Sequence, residues 1–237
     1  MHDPDVVRIY GQPFEVQEGA RKCTRCKGIN NYNADTTGCP DQFREADVYK
    51  FDFDCYGCDM SSSKKIVMNL ITRYNEWAKN GKGLYIYSKT PGSGKTYLAC
   101  CIGKSIMMKY GVRFKFITAP GYINKVSEGI TLAKQGIPDS PARIYSECEV
   151  LVLDDIGTQL AKEWQEQELF MLINERVNKG LITIYTSNLD IQNLNVSERI
   201  KSRIYGTSLL FGMPEVSVRK NKAREANNDF LKKMMGE

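Results

Sequence analysis

The sequence predicts an α/β fold, a parallel β-sheet sandwiched by helices, with a small cysteine-rich module at the N-terminus. Three observations predict it. Short β-type apolar runs at 84–87, 112–117, 150–153 and 182–186 are separated by segments with helical spacing, the pattern of strand–helix–strand units. The run Val150-Leu151-Val152-Leu153 is apolar at every position, which suits a strand buried on both faces of a parallel sheet. Five of the eight cysteines lie before residue 60, four of them as two Cys-x-x-Cys pairs.

Bulk properties narrow the chemistry. At 237 residues the chain suits one domain of moderate size plus a small one. A hydrophobic content of 42% and a charged content of 26% are ordinary for a soluble globular protein. The net charge of +5 permits nucleic-acid contact without arguing for it. No apolar run approaches the roughly 18 residues of a membrane span, and Met1-His2-Asp3-Pro4-Asp5 is unlike a signal peptide, so a cytoplasmic protein with no membrane partner is expected. Cysteines without an export signal suggest metal ligands or free thiols rather than disulfides. The only histidine is His2, which excludes imidazole acid–base chemistry and Ser-His-Asp or Cys-His triads. Any reaction here must run on carboxylates, lysine, arginine and a metal ion.

Residues 1–20 show no clear periodicity, although Val6, Val7, Ile9 and Tyr10 suit a short strand or an anchoring segment. Cys23/Cys26 and Cys55/Cys58 have the two-residue gap that lets a knuckle turn present two thiolates to one tetrahedral metal, so together they suit a Cys₄ zinc site, with Cys39 as a spare or substitute ligand. Residues 1–60 carry seven Lys and Arg against eleven Asp and Glu, which favours a protein partner over DNA for this module. The expected division is a zinc-binding docking module at 1–62 and a second domain at 63–237, with Ser61-Ser62-Ser63-Lys64-Lys65 as linker. Ile66, Val67, Leu70, Ile71 and Tyr74 recur at helical spacing up to Trp77, whose ring either borders a nucleotide base or packs in the core.

The stretch around which the second domain is organised follows. A strand at 84–87 runs into Pro91-Gly92-Ser93-Gly94-Lys95-Thr96, and Tyr97-Leu98-Ala99 begins a helix that stops at Gly111. Strand, glycine loop, Lys-Thr, helix is the order of a phosphate-binding P-loop. Loop N–H groups and the helix N-terminus face the phosphates, Lys95 reaches the β- and γ-phosphates, and the Thr96 hydroxyl ligates Mg²⁺. One position departs from the pattern: its first glycine falls on Lys89, which calls for an unusual backbone angle there or a different loop entry.

Residues 112–117 alternate as a second strand, and 120–141 mix helix and loop with Lys125 and Lys134 ahead of Arg143. The strand ending in Asp154-Asp155 brings two carboxylates to the end of a parallel strand, where ligands bind in such sheets. Some sixty residues after a P-loop this reads as a Walker B element, with Asp154 acting on Mg²⁺ through water and Asp155 polarising the attacking water. An amphipathic helix at 161–179 leads to the strand at 182–186, which delivers Ser187-Asn188; there Asn188 is either a turn residue or a sensor of the γ-phosphate and hydrolytic water. Ser197 is a cap-like start to a basic helix whose Arg199 and Arg203, spaced i, i+4, form either a solvated face or an arginine finger acting on a neighbour's nucleotide.

These segments together resemble the DnaC/DnaI-type helicase loaders of bacteria and their phages, within the AAA+ ATPases. The resemblance is carried over roughly residues 66–210 by the loop stretch, by Leu151-Val152-Leu153-Asp154-Asp155-Ile156-Gly157, by Ile173-Asn174-Glu175-Arg176, by Thr183-Ile184-Tyr185-Thr186-Ser187-Asn188-Leu189 and by Glu198-Arg199-Ile200-Lys201-Ser202-Arg203. It implies a P-loop ATPase domain without a separate lid, which loads the hexameric replicative DNA helicase onto single-stranded DNA with ATP and Mg²⁺ and turns over slowly. It further implies sensor 1 at Asn188, the finger at Arg203 beside Arg199, sensor 2 at Arg219, a DNA-contacting helical insertion at 118–146, helicase docking through the zinc module, and self-association through the finger. Two alternatives stay open: an IstB-like transposition helper ATPase, and a non-hydrolysing adaptor that works through its zinc module.

Overall fold

Five parallel strands form the sheet. In the computed structural model, which describes residues 7–9, 12–14, 37–137, 140–157 and 162–235, they are β3 (Gly83–Tyr87), β4 (Phe114–Thr118), β5 (Val150–Asp154), β6 (Ile182–Ser187) and β7 (Ser208–Gly212). Their spatial order is β4-β5-β6-β3-β7. The chain divides into two compact units, Met1–Asn33 and Ala34–Glu237. In the first, β1 (Val7–Ile9) pairs antiparallel with β2 (Gln12–Phe14), Val7 opposite Phe14. The second carries everything else.

Alternation along the central strands splits the core in two, as a sheet covered on both faces requires. Leu84, Ile86, Val150, Val152, Ile182 and Ile184 point into one cluster. It is completed by α1 (Ser61–Thr72), α2 (Tyr74–Lys79) and α3 (Lys95–Tyr110). Tyr85, Leu151, Leu153 and Tyr185 point into the other cluster. That cluster contains residues of α4 (Ala119–Lys134), α5 (Arg143–Glu147), α6 (Glu163–Asn178) and α7 (Glu198–Thr207). A last helix, α8 (Val218–Met235), begins half-buried at Val218 against the first cluster, and its described side chains beyond that are exposed. Among the described residues, no helix is long and apolar enough to cross a membrane.

The strands and helices expected from spacing are present, with three differences. Residues 61–65 are not a linker but the first turn of α1, which Val67, Leu70 and Ile71 anchor in the core. The strand β7 is absent from the sequence reading; as an edge strand it buries only Ser208 and Phe211 of its five residues, so it shows no full apolar run. The expected boundary at 62/63 does not coincide with the division after Asn33, because 37–60 packs onto α3. Val48, Phe51, Phe53 and Tyr56 are core residues. The Thr37 carbonyl accepts from the Phe116 N–H on β4 at 2.7 Å. Lys104 of α3 donates to the carbonyls of Phe43 and Arg44 at 2.7 and 2.5 Å. With that cover, Leu98 to Met107 are all buried, and α3 is apolar nearly all round.

Candidate nucleotide-binding site

After β3 the chain crosses to β4 at the far edge of the sheet, while β7 lies on the other side of β3. Connections therefore diverge at the C-terminal end of β3, which is where open α/β sheets leave a crevice. Into it project the loop after β3, the carboxylates after β5, and Ser187 and Asn188 after β6.

The loop holds its shape with two left-handed glycines, Gly92 (φ 79°) and Gly94 (φ 93°). A Cβ on Gly94 would lie 3.0 Å from the Tyr56 hydroxyl, which donates to the Ser93 carbonyl at 2.7 Å. Lys89 needs no glycine: Asp155 is the one non-glycine residue with positive φ among the described residues. The loop enters differently, on a carboxylate. Glu215 accepts from the Lys89 N–H at 2.8 Å and from the Ser88 hydroxyl at 3.2 Å. Burial works to raise the Glu215 pKa, but hydrogen bonds from Thr90, Lys89 and Ser88 outweigh it and hold the carboxyl below its ordinary value.

Lys95 is folded back into its own loop. Its Nζ donates to the carbonyls of Ser88 (3.1 Å) and Thr90 (3.2 Å) and to Ser93 Oγ (3.1 Å). Burial pushes its pKa down, and Glu215, Asp154 and Asp155 pull it back up without cancelling the shift. An ammonium held by three neutral acceptors is poised to exchange them for the stronger bonds of an anionic phosphate.

The carboxylates are joined through one hydroxyl. Thr96 Oγ1 donates to Asp154 Oδ1 at 2.8 Å, and Thr186 Oγ1 donates to the same oxygen at 2.5 Å. Thr186 Oγ1 in turn accepts from the Asp155 N–H at 3.0 Å. Burial raises the Asp154 pKa against these hydroxyl bonds, which lower it. Asp155 holds φ 56°, a left-handed angle that costs energy and persists where surrounding bonds fix it. Asn188 Nδ2 donates to Asp155 Oδ1 at 3.3 Å.

The crevice has a volume of about 510 Å³ and brings together most of the expected set: Pro91 to Tyr97, Asp154, Asp155, Asn188 and Arg219. The Arg219 N–H donates to the Gly92 carbonyl at 3.1 Å. Phe43 lies at the rim with its ring 5.5 Å from that of Tyr97. Size, cationic loop and paired Thr–Asp oxygens fit a nucleoside triphosphate with Mg²⁺. Arg199 and Arg203 are not brought to it; both are exposed on α7, with Arg199 stacked 4.9 Å over Phe170. Trp77 lines a different cavity and packs in part on the core, so its base-bordering role is not realised here. Sequence reasoning missed Thr186, Glu215, Phe43 and Tyr56. Thr186 alone had a signal, two residues before Asn188 on the same strand.

The zinc expectation falls only in part on described residues, and those do not gather into a metal site. Cys23 and Cys26 lie outside the described residues. The Cys55 thiol donates to the Asp52 carbonyl at 3.1 Å, and Cys58 is exposed. Cys39 sits instead on α3, its sulfur 3.5 Å from that of Cys100. Among the described residues no three His, Cys, Asp or Glu side chains gather to hold a metal. In the helical insertion, Lys125 pairs with Glu128 at 2.7 Å and Arg143 with Glu147 at 2.6 Å. Ser197 makes no side-chain cap; its N–H donates to Glu166 at 2.7 Å.

Comparison with known proteins places this geometry. The family described as IstB-like ATP binding protein matches residues 42–197. The chromosomal replication initiator protein DnaA of Campylobacter jejuni (strain 81-176) is 28% identical over 134 residues, 56% of this chain and 29% of that protein. The replicative helicase loader DnaC of Buchnera aphidicola (subspecies Baizongia pistaciae) is 24% identical over 160 residues, 66% of this chain and 64% of that one. The chain thus spans less than two thirds of the length of either relative. A crystal structure of the DnaC helicase loader superposes with a TM-score of 0.61 at 24% identity, covering 73% of this chain and 99% of that one. At that identity the likeness is one of fold.

Proposed function

The chain belongs to the IstB-like ATP-binding protein family, within the DnaC-like AAA+ ATPases, and on that premise we propose that it loads the replicative hexameric DNA helicase onto single-stranded DNA, driven by ATP binding and slow hydrolysis. The observation that carries the ATPase part is the single crevice shared by Lys95, the Thr96–Asp154 pair, Asp155 with Asn188, and Arg219. Mg²⁺ bound with ATP would neutralise charge on the β- and γ-phosphates, held by Thr96 and Asp154. Lys95 binds the phosphates, Asp155 orients and polarises the attacking water, and Asn188 keeps that carboxylate in place. Exposed Arg203, with Arg199 beside it, completes the site of a second copy. The loader role is supported by the DnaC relative and by the cysteine-bearing N-terminus at 1–62, the proposed docking module. A replication role places the protein in the cytoplasm.

A zinc site formed by Cys23, Cys26, Cys55 and Cys58 is proposed on spacing alone. Metal analysis of the purified chain tests it: about one zinc per chain is expected, and little in the Cys23→Ser/Cys26→Ser variant. Equal zinc in both would remove the proposal.

The decisive experiment is capture of helicase from extract by the full chain and by residues 34–237, each with and without ATP. Retention by the full chain and loss with 1–33 supports the loader role and locates docking. If neither retains helicase, the loader role falls. The family match also favours the transposition-helper reading, which capture of a transposase in place of helicase would select.

A further inference from the structure

A second cavity, of about 440 Å³, opens at the N-terminal ends of β3 and β7, the opposite end of the strands from the nucleotide crevice. The two share no lining residue. One wall is Trp77 of α2, whose indole N–H donates to Asn69 Oδ1 at 2.9 Å and is thereby held in one plane. Ser208, the first residue of β7, also lines it. This serine is 8% exposed, and its hydroxyl has no hydrogen-bond partner. A buried hydroxyl left unpaired is unfavourable, and a ligand that bonds it removes that cost. Asn69 and Asn80 add amide groups to the lining.

The rim is charged. Arg73 makes a two-pronged pair with Glu76, at 2.8 and 2.5 Å, and the Lys82 ammonium donates to the Gly206 carbonyl. Arg73, Lys82 and Glu76 together leave one net positive charge, matched to one phosphodiester. A flat aromatic wall, an unpaired hydroxyl and amides beside it, and a singly positive rim are complementary to one nucleotide of a strand. An apolar peptide side chain would leave the hydroxyl unpaired, and a dianionic free phosphate would meet Glu76.

We propose that this cavity takes one unpaired base of single-stranded DNA, stacked on Trp77 and hydrogen-bonded to Ser208, with the adjoining phosphate at Lys82 and Arg73. The inference rests on the single-stranded DNA part of the proposed function.

The chain has two tryptophans, Trp77 and Trp164. In full-length Trp164→Phe protein, Trp77 is therefore the only indole reporter. We would follow its emission and the anisotropy of a labelled oligothymidylate of about 20 nucleotides, a length that exceeds the site sizes of single-strand binders. The expected result is saturable quenching by the strand in step with anisotropy, and none by free thymidine monophosphate at equal nucleotide concentration. Ser208→Ala should weaken strand binding by roughly 5-fold or more, the lower end for loss of one good base contact, while melting no lower than the parent. Strand binding with unchanged Trp77 emission and unaltered affinity in Ser208→Ala would overturn the cavity assignment but leave DNA binding standing. No anisotropy change at all would overturn both. Quenching by the free monophosphate, or by purified helicase in place of the strand, would also overturn it.

Discussion

Thr186 contacts both carboxylate residues at the end of β5, donating to Asp154 and accepting from the Asp155 N–H. Thr186→Val keeps the shape and removes both bonds. With the part-buried bond from the Asp155 N–H lost, we expect a loss on the order of 1 kcal/mol in stability. On the proposed mechanism, ATP turnover should fall about 10-fold with nucleotide affinity within about 3-fold, because the residue would position the water-polarising carboxylate rather than the phosphates; a parallel loss of affinity, measured by titration, would contradict that role. Asp154 makes a different prediction. Burial sets its folded pKa above the ordinary value of 3.8. Between those two values the folded chain binds more protons than the unfolded one, so stability falls as pH rises through that window. The ionised carboxylate is then a full burden above the folded pKa. Asp154→Asn keeps an acceptor for both threonines and removes the charge. Without ligand it should melt higher at pH 7, by roughly 2–4 °C, the scale of a 1 kcal/mol change in a chain this long. The gain should shrink towards pH 4, and turnover should be lost; equal melting at both pH values would sink the argument. These residues mark what the sequence can express. Lys95, Thr96, Asp154, Asp155 and Asn188 were legible because each follows a strand at a set spacing. Glu215 was not, because its carboxylate reaches Lys89 from 126 positions away.

Arg176 shows how helices are locked to the sheet. It is 1% exposed, and its guanidinium donates to the carbonyls of Tyr145, Cys148 and Ile182 and to Thr183 Oγ1. One side chain of α6 thereby satisfies groups on α5, β6 and the segment leading into β5. Burial holds its pKa below the ordinary arginine value, yet at neutral pH it stays charged. Lysine has the charge but not the fork. Arg176→Lys should therefore cost about 3–5 kcal/mol, the scale of a broken buried charge network, in denaturant melts with an unchanged slope. A change under about 1 kcal/mol would mean the carbonyls find other partners. In sequence, Ile173-Asn174-Glu175-Arg176 reads as part of the family pattern, and a surface ion pair would read identically. Element identity was more legible than element limits. Strands buried on both faces announce themselves through unbroken apolar runs, whereas β7, exposed on one edge, does not. The polar start of α1 reads as linker because its four exposed residues among 61–65 carry no apolar periodicity, although the packed turns that follow extend the helix back over them.

At the scale of the whole molecule, the segment 37–60 belongs to the unit that carries the sheet and the crevice. Composition there is acidic and cysteine-bearing, so it reads with the N-terminal module. Its aromatic residues belong elsewhere. Phe51 and Phe53 pack with tilted rings 4.7 Å apart, Phe51 stacks 5.8 Å from Tyr97 beside the loop, and the Tyr56 hydroxyl is hydrogen-bonded to the Ser93 carbonyl. Fully burying a large apolar side chain stabilises by about 1.5–3 kcal/mol. Val48, Phe51, Phe53, Tyr56 and Met60, all core residues, therefore contribute roughly 8–15 kcal/mol as an upper estimate. That equals the whole net stability of a typical domain, about 5–15 kcal/mol. A chain cut to residues 63–237 should consequently fail to melt cooperatively and bind ATP weakly, with α3 uncovered. A chain cut to residues 34–237 should melt within a few degrees of the full protein and keep its nucleotide affinity. Thermal melts by circular dichroism, with fluorescent ATP-analogue binding on both chains, separate the cases. If the shorter chain melts as cooperatively as the longer, 37–60 is an accessory rather than part of the fold, and the division expected from composition would be restored.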